Sequence, residues 1–415
     1  MNSETADVIV VGGGIVGLSI AYQLSRRQAG RVIVLEKGSA VGQGSTGASS
    51  ACLRLRYSNT EVIQLALDGL NTYRDWQTFT RLDKPRAAAK RTGVLWTLGE
   101  DEATVISERD RMLSLGASAL ALSVDELAER FPAISPCSHP LDLTGETEHE
   151  CDTQSLFLYE EDGGYCTDPV GANQDLLEAC LRDGVDVRFK TAVVDVHTSG
   201  GRVIGATLND GSRIDAPQLV NAAGPWCNNL NALAGLEHKW TLQPLRIQVI
   251  LRATIEPVPG GLPMVGDTLS GIYFRPESNG QQILVGSVRP EDEEETVADP
   301  DKLDNQLDEE LKARMLYGLH HRVPGLEHRG RVTGVAGLYT MNEQDVHPVV
   351  GATHIDGFYV ANGFSGHGFK LAPAVGSLMA QILTDTTIDG DTTVSPDFLS
   401  IERDSLAVRE KNVLA

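Results

Sequence analysis

The sequence predicts an α/β fold in which a Rossmann-like domain is interleaved with a mixed β-sheet domain. Three observations carry that expectation. An apolar strand, Asp7 to Val11, runs into Gly12-Gly13-Gly14-Ile15-Val16-Gly17 and a helical pattern. A second apolar strand, Arg31 to Leu35, ends in Glu36. The chain of 415 residues exceeds the ~250–300 over which one core usually grows, and stretches suited to the first domain recur at its start, middle and end with β-rich segments between them.

Each residue of the opening unit has a physical task. Gly12 permits the tight turn after the strand, Gly14 lets backbone approach a pyrophosphate with no Cβ in the way, and Gly17 lets the helix lie close to the strand. The diphosphate then sits at a helix N-terminus, where free N–H groups and the positive end of the helix dipole favour an anion. Glu36 falls about 20 residues further on, where an acid meets ribose hydroxyls. A carboxylate there repels a 2′-phosphate, which disfavours an NADP-type ligand.

The remaining elements follow in order. Lys37 to Ser50 is rich in Gly and Ser, too small to build a core, and reads as a loop pressed against a ligand or backbone. Glu61 to Phe79 carries apolar residues at helical spacing (Val62, Leu65, Ala66, Leu70, Tyr73), and Arg91 to Leu98 reads as a strand. Helices are expected at Glu102 to Leu115 and Ser123 to Arg130, the latter opened by the capping box Ser123/Glu126. A helix from Pro169 to Arg182 precedes strands at Val185 to Phe189 and Val193 to Thr198. Arg202 to Leu208, the turn Asn209-Asp210-Gly211-Ser212 and Arg213 to Asp215 form a hairpin. Gln218 to Trp226 is a buried strand breaking at Gly224-Pro225, and further strands run through Leu245–Leu251, Gly271–Arg275, Gln282–Ser287 and Gly357–Gly363, with a helix after Lys370 to Ile382. The expected division gives 1–80, 150–226 and 330–390 to the dinucleotide-binding domain, 81–149 and 227–329 to the β-rich second domain, and 391–415 to a tail.

Net charge is −22, which argues against a nucleic-acid or anionic-membrane surface. The acidic run from Glu291 to Glu310 reads as a solvated loop leading into an exposed helix. Six cysteines (Cys52, Cys137, Cys151, Cys166, Cys180, Cys227) show no C-x-x-C pair or His clustering, so no metal site or disulfide framework is expected. Neither a basic leader nor an apolar run approaching ~18 residues is present, and the expectation is a cytoplasmic protein with no membrane span.

Gly363-Phe364-Ser365-Gly366-His367-Gly368-Phe369-Lys370 is the second informative segment. A glycine-rich turn entering a helix aims N–H groups and a positive dipole at one spot, suited to a developing negative charge. Together with Gly12–Gly17 and Glu36, Gly44-Ser45-Thr46-Gly47 and Asn221-Ala222-Ala223-Gly224-Pro225-Trp226, it resembles the signatures of the D-amino acid oxidase family of FAD-dependent oxidoreductases, in order to about Thr384. Within that family the sarcosine oxidase and dimethylglycine dehydrogenase branch is the most similar. The resemblance implies a glutathione-reductase-type FAD domain roofed by a mixed β-sheet substrate domain.

It further implies that FAD contacts Gly12, Gly14, Ile15, Val16, Gly17, Glu36, Lys37, Ser45, Thr46, Val193, Ala223, Gly224, Trp226, Gly363, Gly366, His367, Gly368, Phe369 and Lys370. Lys370 matches a lysine that holds the substrate carboxylate with an arginine; Arg56 is the better match for that arginine, and Arg54 lies nearer the flavin face. Tyr273 aligns with a tyrosine bordering the pocket, and His367 is placed to hydrogen-bond near the flavin. The sarcosine oxidase branch attaches FAD to a cysteine beside Tyr339-Thr340, where this chain has Gly337-Leu338, so a non-covalent flavin is expected. Tyr339 also stands where D-amino acid and glycine oxidases place an arginine, which turns the expectation away from D-amino acids.

The implied reaction is oxidation of a small amino acid at its C–N bond, with a secondary or tertiary amine such as sarcosine, dimethylglycine or proline preferred, by hydride transfer to flavin N5 and hydrolysis of the imine. No counterpart of the oxygen-activating lysine stands near Tyr273, so the acceptor is O2 or another carrier, with a partner subunit left open. The alternatives are a 2-hydroxy acid dehydrogenase using His367 or His347 as base, and an FAD-bearing subunit of a heteromeric amine dehydrogenase.

Overall fold

A computed structural model describes residues 4–144, 146–153, 155–409 and 411–414. Its central layer is a six-stranded sheet in the order Asp186–Arg188, Val32–Leu35, Val8–Val11, Gln218–Asn221, Phe358–Asn362, Val349–Ala352. All neighbours are parallel except the last pair. The strands are apolar on both faces because both are covered. Val8, Val10, Val32 and Val34 pack with the helices Ile15–Arg26, Pro169–Arg182 and Gly368–Thr384. Ile9, Ile33 and Leu35 face the other way, toward the hairpin Arg202–Leu208 and Arg213–Asp215 and the helix Cys227–Ala234. Period-2 alternation thus places one strand in two cores.

An eight-stranded sheet lies beside it: Val332–Asn342, Leu242–Ala253, Gln282–Ser287, Ile272–Glu277, Met264–Asp267, Val94–Thr97, Leu156–Glu160, Ala119–Ser123. Its outer face is covered by the helix Glu309–Arg322, whose Leu311, Met315 and Leu319 pack with Ile250, Ile272, Phe274 and Val285. Leu156–Glu160 and Val332–Asn342, from the stretches expected on the cofactor side, are strands of this sheet.

Local expectations hold closely at the helix Pro169–Arg182, the capping box at Ser123 and the hairpin after Arg202. Elsewhere the chain departs from them. The helix through Phe79 breaks at Asp75 into Thr60–Arg74 and Trp76–Thr80, and the strand from Gln218 ends at Asn221, before a 3₁₀ turn that Gly224 enters at φ 53°. The acidic run is not simply solvated: Asp292 pairs with Arg314, Glu295 and Asp308 pair with Arg246, and Glu293 is buried. The expected tail is also folded in, with Val413 and Leu414 buried against the body.

Candidate active site

The two helix N-termini that the glycine motifs create meet at one cavity of about 960 Å³ between the sheets. At the first, Gly12 (φ 115°) turns the chain so tightly that a Cβ would lie 2.3 Å from the Ala222 carbonyl oxygen. A Cβ on Gly17 would meet the Gly12 oxygen at 2.0 Å, so the helix closes on the strand as the spacing requires. Gly14 is different: only Thr46 Oγ1, at 3.4 Å, lies near its Cβ direction, and its face opens to the cavity. Thr46 Oγ1 accepts from the Ile15 N–H (3.1 Å), while Gly14 offers the helix no side-chain cap. Glu36 accepts from the Gly13 N–H (2.8 Å) and the Gly38 N–H (2.6 Å), fixing the loop and leaving its carboxylate on the wall.

The cavity wall includes Gly12, Gly14, Ile15, Val16, Glu36, Lys37, Ser45, Thr46, Val193, Ala223, Gly224, Trp226, Gly366, Gly368, Phe369 and Lys370. Lys37 lies 3.8 Å over the Trp226 ring. Three expected contacts lie behind the wall. Gly17 packs on Gly12, Gly363 packs on Leu242, and His367 is fully buried with Nε2 bonded to the Val413 carbonyl (2.9 Å).

At the second helix N-terminus the His367 side chain makes no cap, so the first-turn N–H groups point at the cavity with Lys370 beside them. Lys370 is buried, and burial first and the neighbouring Arg54 second bring its ammonium down to about 7. Arg54 shares this wall and stacks 4.1 Å over Tyr57, whose ring also faces Lys370 at 5.9 Å. Among the described residues neither cation pairs with a carboxylate. Arg54 instead donates to two carbonyls, those of Arg56 and Val413, the latter at 2.6 Å.

Arg56, the arginine favoured from the sequence, does not line the cavity; it pairs with Glu100 at 2.6 Å and lies 5.5 Å from the Trp96 ring. Glu160, fully buried, accepts from the Leu55 N–H (2.7 Å), the Arg56 N–H (2.8 Å) and Trp96 Nε1 (2.8 Å), which pins a backbone that is no longer a regular strand after Leu53 and leaves the Arg56 side chain turned to Glu100. Burial pushes the Glu160 carboxyl up.

Tyr273 lines the cavity with its hydroxyl 2.5 Å from Ser50 Oγ, and burial holds it well above the usual phenol range. Tyr339 is also on the wall. His367 is held far below the ordinary imidazole range, by burial first and the Lys370 and Arg54 charges next. Burial likewise brings His347 to about 4. Both are neutral imidazoles behind the wall.

Several site groups escaped the sequence reading. Val413 and Leu414 close the cavity near Arg54, and Glu293, its carboxyl raised by burial to about 8, accepts from the Val413 N–H. Cys52 is the one cysteine on the wall among the described residues. None of these sits in a motif; each arrives through tertiary packing of a distant segment.

The cavity fits FAD on its own geometry: two uncapped helix N-termini aim at one space, a glycine face opens between them, and Glu36 stands on the same wall. No described helix is long and apolar enough to cross a membrane. A comparison with known proteins agrees with that cradle. The chain is 29% identical to FAD-dependent oxidoreductase domain-containing protein 1 of Xenopus laevis, covering 92% of this chain and 80% of that protein. It is 26% identical to the monomeric sarcosine oxidase of Streptomyces avermitilis, covering 93% and 95%. Its fold matches L-proline dehydrogenase from P. horikoshii with a TM-score of 0.78 at 23% identity, over 96% of this chain and 97% of that one. With residues 7–382 matching the family model described as FAD dependent oxidoreductase (DAO), the chain belongs to that family of FAD-dependent enzymes.

Proposed function

We propose that this FAD-dependent oxidoreductase oxidises the C–N bond of a small amino acid, with a secondary or tertiary amine such as an N-methyl or cyclic amino acid preferred. The observation that carries the reading is the pair Arg54 and Lys370, two buried cations side by side on the cavity wall with no carboxylate partner among the described residues. Two such cations suit one small carboxylate, since charge-assisted pairing is strongest when desolvated. Lys370 titrates near 7, so a bound carboxylate draws a proton onto its Nζ and restores the ammonium. Val413 and Leu414 limit water on that side, and Tyr273, braced by Ser50, bounds the other end of the substrate. FAD, when bound, supplies the hydride acceptor for the carbon next to nitrogen. The amine's own lone pair drives hydride loss, and the resulting imine hydrolyses in water, so the chain needs no base at that carbon.

The 2-hydroxy acid alternative needs such a base. His367 and His347 lie behind the wall and His367 Nε2 is taken by the Val413 carbonyl, which weighs against it. A non-covalent flavin is supported by Gly337 two residues before Tyr339 and by the absence of histidine from the wall among the described residues. The test compares anaerobic flavin reduction by an N-methyl amino acid and by its primary amide. The reading expects the amide to bind at least tenfold more weakly in wild type, and Arg54→Met to narrow the difference; equal binding of acid and amide in wild type sinks it.

A further inference from the structure

A second cluster of chemistry lies on the other side of the eight-stranded sheet. Cys137, His149 and His321 bring one ligand atom each to within 4.8 Å of one another, and Cys137 Sγ is 3.2 Å from His149 Nε2. The His149 and His321 rings meet edge-on at 4.5 Å. His321 Nε2 is buried without a hydrogen-bond partner. Cys151, exposed, reaches the Cys137 thiol from the same loop.

Two features preorganise the group. The loop is closed at its base by the Cys137–Thr153 bridge and the Ser138 N–H to Asp152 O bond (2.8 Å), which brings positions 149 and 151 back beside 137. The helix Glu309–Arg322 supplies His321, and the next residue, Arg322, is fully buried. Its guanidinium donates to the Ser135 carbonyl (2.6 Å) and the Cys137 carbonyl (2.8 Å) while pairing with Asp267 (2.7 Å). One buried arginine therefore clamps both ligand-bearing segments together.

We propose that Cys137, His149, His321 and Cys151 form a structural zinc site that staples the loop 137–153 to the helix Glu309–Arg322. Zinc favours four thiolate and imidazole ligands in a tetrahedron, whose edges from bonds of about 2.3 and 2.0–2.1 Å span roughly 3.3–3.8 Å. Cys137, His149 and His321 close on these edges from within 4.8 Å, and Cys151, exposed on the same loop, turns in as the fourth ligand. A closed set of four protein donors leaves no position for substrate, so the site stabilises the fold and performs no chemistry. Two thiolates and two imidazoles also favour zinc over magnesium or calcium, which prefer oxygen.

The test uses the untagged flavoprotein, loaded with Zn²⁺ or Co²⁺ and desalted. The expected result is one ion per chain, tetrahedral cobalt bands in the red beyond the flavin absorption, protection of Cys151 from alkylation, and a Tm raised by zinc. Cys137→Ser, Cys151→Ser and His321→Gln lose the ion or its tetrahedral thiolate spectrum while keeping their flavin, which reports that they fold. His320→Gln, on the same helix but stacked on His328 at 4.5 Å, keeps both ion and spectrum. Three results overturn the proposal: no ion retained by wild type, an unchanged cobalt spectrum in the Cys137 or His321 variant, or a Cys137–Cys151 disulfide in the purified protein.

Discussion

Replacing Lys370 by methionine separates function from stability with opposite signs. Burial and Arg54 bring this lysine from 10.5 to about 7, a difference of 10.5 − 7, or about 3.5. At about 1.4 kcal/mol per unit that corresponds to about 5 kcal/mol of native-state penalty, of which relaxation around the site leaves roughly 2–5. A lysine whose folded value is depressed binds fewer protons folded than unfolded between these limits. Its penalty is therefore full below pH 7 and fades as pH rises toward 10.5. Lys370→Met, similar in length and apolar, escapes the penalty. The holoprotein variant should be more stable than wild type at pH 6, with the gap closing by pH 10, as read by urea denaturation at several pH values. The same change removes one charge-assisted contact to a substrate carboxylate, about 1.5–3 kcal/mol or roughly 10–150-fold in affinity, read by titrating an unreactive carboxylate against the flavin spectrum. A variant less stable than wild type at pH 6, with unaltered carboxylate affinity, would refute the reasoning.

Three further outcomes follow from the geometry. Gly12→Ala places a Cβ 2.3 Å from a backbone oxygen at φ 115°, so the purified variant should carry little flavin, measured as the ratio of absorbance at the flavin and protein bands. Arg56→Met breaks the pair with Glu100 outside the cavity and should leave carboxylate affinity within about threefold of wild type, whereas Arg54→Met should lower it roughly 10–150-fold by the loss of a charge-assisted contact; equal effects in an inhibitor titration would reverse the assignment. Acid precipitation should release all the flavin into the supernatant, and colour retained in the pellet would point to attachment at Cys52.

Legibility of this chain from sequence follows the range of the interactions involved. The glycine motif, Glu36, the capping box at Ser123 and the hairpin after Arg202 are set by neighbours within a few residues or by one short unit, and they stand where the pattern places them. The arginine pair was harder. Strict alternation would put Arg54 and Arg56 on one face; they part because the segment beyond Cys52–Leu53 is not a regular strand, its backbone held by Glu160, about a hundred residues away, and its Arg56 side chain drawn to Glu100. Glu293 and Val413 carry no motif because their roles come from a segment of the acidic run and the last residues folding against each other. The Cys137 cluster was hidden for the same reason: one ligand comes from a helix far along the chain, so no spacing rule reaches it.

The most direct measurement is an anaerobic titration of the yellow protein with sarcosine, dimethylglycine, proline, D-alanine and 2-hydroxyglutarate, followed by admission of air. The account predicts that a secondary or tertiary amino acid bleaches the flavin band. Recovery in air would then identify O2 as the acceptor, and persistent bleaching a separate carrier or partner subunit. Bleaching by 2-hydroxyglutarate alone, with the amino acids inert, would contradict it.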